Sequence, residues 1–145
     1  MSSTLARVLI HVVFGTKNRL PLIPEDRAKE LYSYIAGILN KEGCTTVEVS
    51  GMPDHVHVLL ELPPRLSLAH LMQKMKGSSA RWANQCWNEP DPLIWQRGYG
   101  AFSVSESQRK TIERYIQNQA RHHQSLSFSQ EWDSLLTRHG LVPEG

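Results

Sequence analysis

The chain has 145 residues, a length suited to one compact domain that buries roughly 70% of its unfolded surface. With 40% hydrophobic and 21% charged residues it reads as an ordinary globular protein, and its two cysteines, Cys44 and Cys86, sit far apart in no CxxC pattern, which argues against a disulfide framework or a thiolate zinc site. A net charge of +2 barely favours nucleic acid, and no apolar run approaches the ~20 residues of a membrane span, so a cytoplasmic protein is expected whose polyanion contacts must come from local clusters.

In chain order, the first strand signal is Arg7 to Phe14. Val8, Ile10, Val12 and Phe14 fall on one face, and Arg7, Leu9, His11 and Val13 on the other. Thr16 to Asp26 reads as a loop punctuated by Pro21 and Pro24. Ala28, Leu31, Ile35, Ile38 and Leu39 recur at helical spacing and predict a helix over Glu25 to Glu42, stopped by Gly43. Thr45 to Ser50 and His55 to Leu62 predict a hairpin across the turn GMPD, ended by Pro63 and Pro64. Ser67 then caps a helix whose core face carries Leu68, Leu71, Met72, Met75 and Trp82.

After a loop bent at Gly98 and Gly100 comes a last strand. Ser105 and Gln108 form a capping-box pattern that opens a helix from Glu106 to about His123, and a short helix over Gln130 to His139 follows. The order βαββαβ plus a C-terminal helix is an α+β, ferredoxin-like or RRM-like plan, read here as one domain over residues 1–145. In it two helices cover one face of an antiparallel sheet. The other face is left for a ligand, a nucleic acid, a partner subunit or an added helix.

Within MPDHVHV, residues 52–58, strand alternation turns His55 and His57 the same way, together with Leu59 and Glu61. Val56, Val58, Leu60 and Leu62 form an apolar row on the opposite side, suited to the two-helix core. The histidines therefore face the open side of the sheet. At roughly 6–7 Å along the strand, two imidazoles can converge on one metal ion. Spacing alone leaves them equally readable as polar-face residues without a ligand. An open site completed by an oxygen donor suits Mg²⁺, Mn²⁺ or another divalent ion better than a closed structural zinc site does.

Further along, Tyr115 and Gln119 stand four residues apart, on one helix face, with Ile112 and Ile116 as a docking edge. Each alone reads as a packing or solvated residue. Together with the histidine pair they make up a possible phosphoryl-transfer site. A tyrosine is a poor nucleophile at its free pKa near 10 and needs a metal to polarise the phosphate it attacks.

These stretches resemble the single-tyrosine transposases of small bacterial insertion sequences, members of the HUH nuclease superfamily, and their REP-associated tyrosine transposase relatives. The resemblance runs through HVVFGTKNR (11–19), MPDHVHVLL (52–60), KMKGSSARW (74–82), WQRGYGAFSVSES (95–107) and YIQNQARHH (115–123). It implies a cytoplasmic bacterial enzyme that nicks and rejoins single-stranded DNA beside hairpins through a 5′-phosphotyrosine. His55, His57 and Gln119 would hold Mg²⁺ or Mn²⁺, and Tyr115 would be the nucleophile. It also implies a homodimer, with the tyrosine helix in its own or its partner's site, and no membrane or small-molecule partner. His122 and His123 match the family pattern and are read as docking or DNA-backbone residues; His11 is read as structural.

The candidate DNA surface comprises Lys17, Arg19, Lys74, Lys76, Arg81 and Arg97, with Trp95 and Tyr99 as stacking candidates. Two other readings compete. A non-catalytic RRM-like module would use aromatics on its central strands, where this chain has His55 and His57. A domesticated relative would act on repeated genomic palindromes.

Overall fold

Strand alternation builds a four-stranded sheet with two differently furnished faces. The computed structural model describes residues 3–142. Its strands are β1 (Leu9–Gly15), β2 (Thr45–Met52), β3 (His55–Glu61) and β4 (Gly100–Val104). They lie in the order β2-β3-β1-β4, and every pairing is antiparallel. This is the expected ferredoxin-like arrangement. The β2–β3 hairpin is tighter than expected, because β2 runs on through Gly51 and Met52, and Met52 pairs with His55.

On the first face, α1 (Ala28–Lys41) and α2 (Leu68–Cys86) close over Val12, Phe14, Val56, Val58 and Leu60 with Leu31, Ile35, Leu71 and Met75. The Val56–Leu60 row thus points where its alternation sends it. Gly43 ends α1 with φ 87°, the left-handed conformation a helix stop favours. Ser67 caps α2 by accepting from the His70 N–H at 3.1 Å. Trp82 packs on this core from its margin, stacked on Tyr34 at 4.4 Å between ring centroids.

The second face is roofed by the chain itself. α3 (Arg109–Gln117), α4 (Gln119–His122) and α5 (Phe128–Arg138) follow β4. Val13, Phe102, Phe128, Leu135 and Leu136 form a separate buried cluster there. Of the occupants the sequence allows, added helices cover this face, and the histidine row is buried rather than open.

Two local expectations are corrected. The helix expected from Glu106 to His123 opens as a 3₁₀ turn over Glu106–Gln108 and breaks at Asn118 (φ −96°, ψ 25°). Ser105 makes no capping box. The tightened turn gives the Gln108 N–H to the Ser105 carbonyl at 2.9 Å, and the Ser105 hydroxyl lies 3.1 Å from Ser107 Oγ instead. The same Ser-x-x-Gln pattern recurs at Ser127 and Gln130, where both reciprocal bonds form and α5 starts two residues earlier than expected.

No helix among the described residues is long and apolar enough to cross a membrane. Because only one of the two patterns caps a helix, Ser127→Ala should cost about 1 kcal/mol in urea denaturation. Ser105→Ala should stay within ~0.5 kcal/mol. Equal effects would contradict the assignment of the caps.

Candidate active site

The second face is built around β3. His55 and His57 are fully buried, and each has its Nδ1 held by a neighbour. His55 Nδ1 lies 2.7 Å from Asp54 Oδ1, and His57 Nδ1 lies 2.8 Å from His11 Nε2, on the adjacent strand β1. A ring anchored through Nδ1 has its Nε2 aimed. Both Nε2 atoms point to one place, each 3.1 Å from Glu131 Oε1.

Tyr115 and Gln119, on either side of the break at Asn118, reach the same point. Gln119, fully buried, has its Oε1 2.9 Å from His55 Nε2 and donates through Nε2 to Glu131 Oε2 at 2.9 Å. Tyr115, half-buried, donates its hydroxyl to the same Glu131 Oε2. His123 Nε2 sits 3.1 Å from Glu131 Oε1, and the His122 ring packs 4.6 Å from that of Tyr115.

The sequence reading missed Glu131 altogether. It did not single out Asp54, which holds His55 Nδ1, while His11, read as structural, is buried and holds His57 Nδ1. The one sequence signal for Glu131 is a carboxylate inside the buried stripe of α5, between Phe128 and Leu135, where an apolar residue is the rule. Burial at 1% exposure demands partners for such a charge, and the histidines, Tyr115 and Gln119 supply them.

The charges follow from this packing. Burial would raise the Glu131 pKa, but hydrogen bonds from His55, His57 and Tyr115 outweigh it and hold the carboxyl well below its usual range. Burial also lowers His57, and lowers His11 to about 3 with help from His57, so both rings are neutral at pH 7. For His55, burial acts downward but the bonds to Asp54, Glu131 and Gln119 prevail, lifting it to about 9. Burial and then Glu131 push the Tyr115 hydroxyl well above the ordinary phenol, so it keeps its proton.

Such a set fits a divalent cation. Ligand atoms of His55, His57 and Glu131 all lie within 4.8 Å of one another, and nitrogen plus carboxylate donors suit Mn²⁺, Mg²⁺ or related ions. Anchored Nδ1 atoms are the orientation that metal-binding imidazoles need.

The basic residues divide. Lys17, Arg19, Lys76 and Arg97 gather at the end of the sheet where β1 leaves: Lys17 N–H bonds the Ile94 carbonyl at 2.9 Å, and Lys76 Nζ reaches the Gln96 and Gly98 carbonyls at 2.6 and 2.8 Å. Lys74 and Arg81 are exposed on α2, the helix that covers the opposite face, and are not brought to the site. Trp95 is not free for stacking either. It is half-buried, its indole N–H bonds Ser79 Oγ at 3.0 Å, and its ring meets Phe14 at 4.7 Å. Tyr99 remains 37% exposed.

If the two Nδ1 anchors position the rings for a metal, Asp54→Asn and His11→Gln should each weaken Mn²⁺ binding in calorimetry by roughly 10- to 100-fold. Unchanged affinity in both would place the ion elsewhere.

The chain resembles known proteins over most of its length. It is 27% identical over 122 residues to the ISDra2 transposase TnpA of Deinococcus radiodurans, covering 75% of this chain and 81% of that protein. It is 26% identical over 114 residues to the transposase for insertion sequence element IS200 of Salmonella typhimurium, covering 75% and 74% of the two. Among solved structures, a putative transposase from D. radiodurans superposes with a TM-score of 0.66 at 27% identity, over 82% of this chain and 95% of that one. The REP-associated tyrosine transposase bound to a REP hairpin shares the fold, with a TM-score of 0.61 at 16% identity, over 99% of this chain and 89% of that one. The family model described as "Transposase IS200 like" matches residues 4–119, and the chain belongs to that family of DNA-transposing enzymes.

Proposed function

We propose that this transposase nicks and rejoins single-stranded DNA beside a hairpin, with Tyr115 as nucleophile and a divalent ion, Mg²⁺ or Mn²⁺, held by His55, His57, Gln119 Oε1 and Glu131 Oε1. The observation that carries the reading is the shared carboxylate. Glu131 Oε1 faces the histidine nitrogens while Oε2 accepts the Tyr115 hydroxyl, so nucleophile and metal donors belong to one buried cluster.

When bound, the ion would supply Lewis-acid polarisation of the scissile phosphate and offset its growing negative charge. The protein groups do the rest. Tyr115 enters protonated, and Glu131 Oε2 already accepts that proton in a hydrogen bond, the position of a general base. As the phenolic oxygen gives its proton to Glu131 and bonds to phosphorus, the bond from phosphorus to the 3′ oxygen breaks, and the leaving 3′ oxygen takes up a proton to become a hydroxyl. Attack by a 3′ hydroxyl on the phosphotyrosine reverses the exchange, with no outside energy source. Asp54 and His11 hold the two imidazoles still, and the roof of α3 to α5 keeps bulk water from the cluster.

Hairpin recognition is supported by the REP-associated tyrosine transposase of the same fold, which is bound to a REP hairpin. The RRM-like alternative needs an open sheet face on which bases can lie, and here one face carries α1 and α2 and the other α3 to α5. We place the tyrosine segment in its own chain's site, where Tyr115 and Gln119 meet Glu131 and the histidines. Inverted repeats beside the gene would separate a mobile element from a domesticated relative.

The test uses hairpin-bearing single-stranded DNA with Mg²⁺ or Mn²⁺. Denaturing gels should show a covalent protein–DNA adduct that Tyr115→Phe abolishes, while His57→Ala loses cleavage and retains hairpin binding. An adduct that survives Tyr115→Phe, or its absence from the unaltered protein with either metal, would overturn the assignment.

A further inference from the structure

Beside the histidine cluster, the end of β1, the loop before β4 and the start of α5 line a cavity of about 90 Å³ that opens to the surface. That is several times the roughly 10–15 Å³ needed by one water. Phe128, Trp132 and Tyr99 line it, with Arg19 and Arg97 exposed around it. The Arg19 guanidinium lies 5.3 Å from the centre of the Phe128 ring and is further held by the Ser129 hydroxyl.

The aromatic walls are seated on glycines. A Cβ at Gly15 would come within 2.7 Å of Phe128 Cε2, and one at Gly100 within 3.0 Å of Trp132 Cζ3. Only bare backbone lets these rings approach so closely. The far wall is fixed by Lys76, which ties the Gln96 and Gly98 carbonyls.

The cavity also shares a wall with the active site. Phe128 stacks on the His55 ring with parallel planes 4.0 Å apart at the centroids. An occupant of the cavity is therefore separated from the histidine pair by a single aromatic ring. α5, which supplies Phe128 and Trp132, lies beyond residues 4–119, where the family model matches.

We propose that this cavity receives one unpaired nucleobase of the strand that crosses the active site, beside the phosphate that Tyr115 attacks. Aromatic walls offer stacking for a flat heterocycle, and the two arginines offer charge to the phosphates on either side of it. Adjacency to His55 fixes that base as a near neighbour of the cleaved bond. The inference rests on the proposed single-strand cleavage, and it makes the α5 segment a determinant of which flanking nucleotide is accepted.

The test is a binding series on the full chain carrying Tyr115→Phe, so that the strand stays intact. The probe is a DNA hairpin with single-stranded flanks, and each flanking position in turn is made abasic. One position should weaken binding by roughly 5- to 150-fold, the range for a stacked base. Tyr99→Ala, at an exposed position, should weaken the intact probe similarly and erase the penalty at that position alone. A penalty that persists undiminished in Tyr99→Ala, or no penalty at any flanking position, would overturn the proposal. The outcome is independent of the adduct assay on the unaltered protein. An adduct with no coupling rejects the cavity alone, whereas absence of an adduct rejects the cleavage reading itself.

Discussion

One buried carboxylate organises the second half of this molecule. Glu131 arrives from the last helix, and its two oxygens meet separate sets of partners: histidine nitrogens on one side, the Tyr115 hydroxyl and the Gln119 amide on the other. An unpaired charge in such a place would cost several kcal/mol, so the partners must converge for α5 to dock at all. That requirement joins β3 to the tyrosine segment and α5, which lie far from it in the chain. Gln119 enters the cluster beside Tyr115, one helical turn on.

The sheet makes this convergence possible by keeping its faces distinct. Along β3 the valines serve the α1–α2 core and the histidines serve the site, and a slip of one residue would exchange them. The register opposite β1 places His11 within reach of His57 Nδ1. Asp54, in the turn before β3, does the same for His55. The imidazoles are thus oriented by the strand pairing and the hairpin turn, before any helix covers them.

Most of this frame is legible in the sequence, because it rests on local periodicity. Alternation marks the strands, and the Val56–Leu60 row assigns the histidines to their face. The spacing of Tyr115 and Gln119 puts them together, and both do reach His55 and His57. What escapes is what depends on distant contacts. Glu131 shows locally only as a carboxylate within the apolar stripe of α5, and the partners that explain it appear when the helix docks. Two Ser-x-x-Gln stretches look alike, and only the turn geometry decides that Ser127 caps and Ser105 does not. Trp95 reads as a stacking residue until the β1 end closes against it and Ser79 takes its N–H.

In the proposed arrangement one chain assembles the whole cluster, Tyr115 and the candidate metal donors alike. Mixing Tyr115→Phe protein with His57→Ala protein tests it most directly, with the covalent adduct on hairpin-bearing single-stranded DNA as the readout. Neither variant holds both an intact nucleophile and an intact histidine pair. If each chain uses its own Tyr115, the mixture forms no more adduct than the two proteins give separately. Adduct restored on the His57→Ala chain would show that Tyr115 works in a partner's site, and would contradict it.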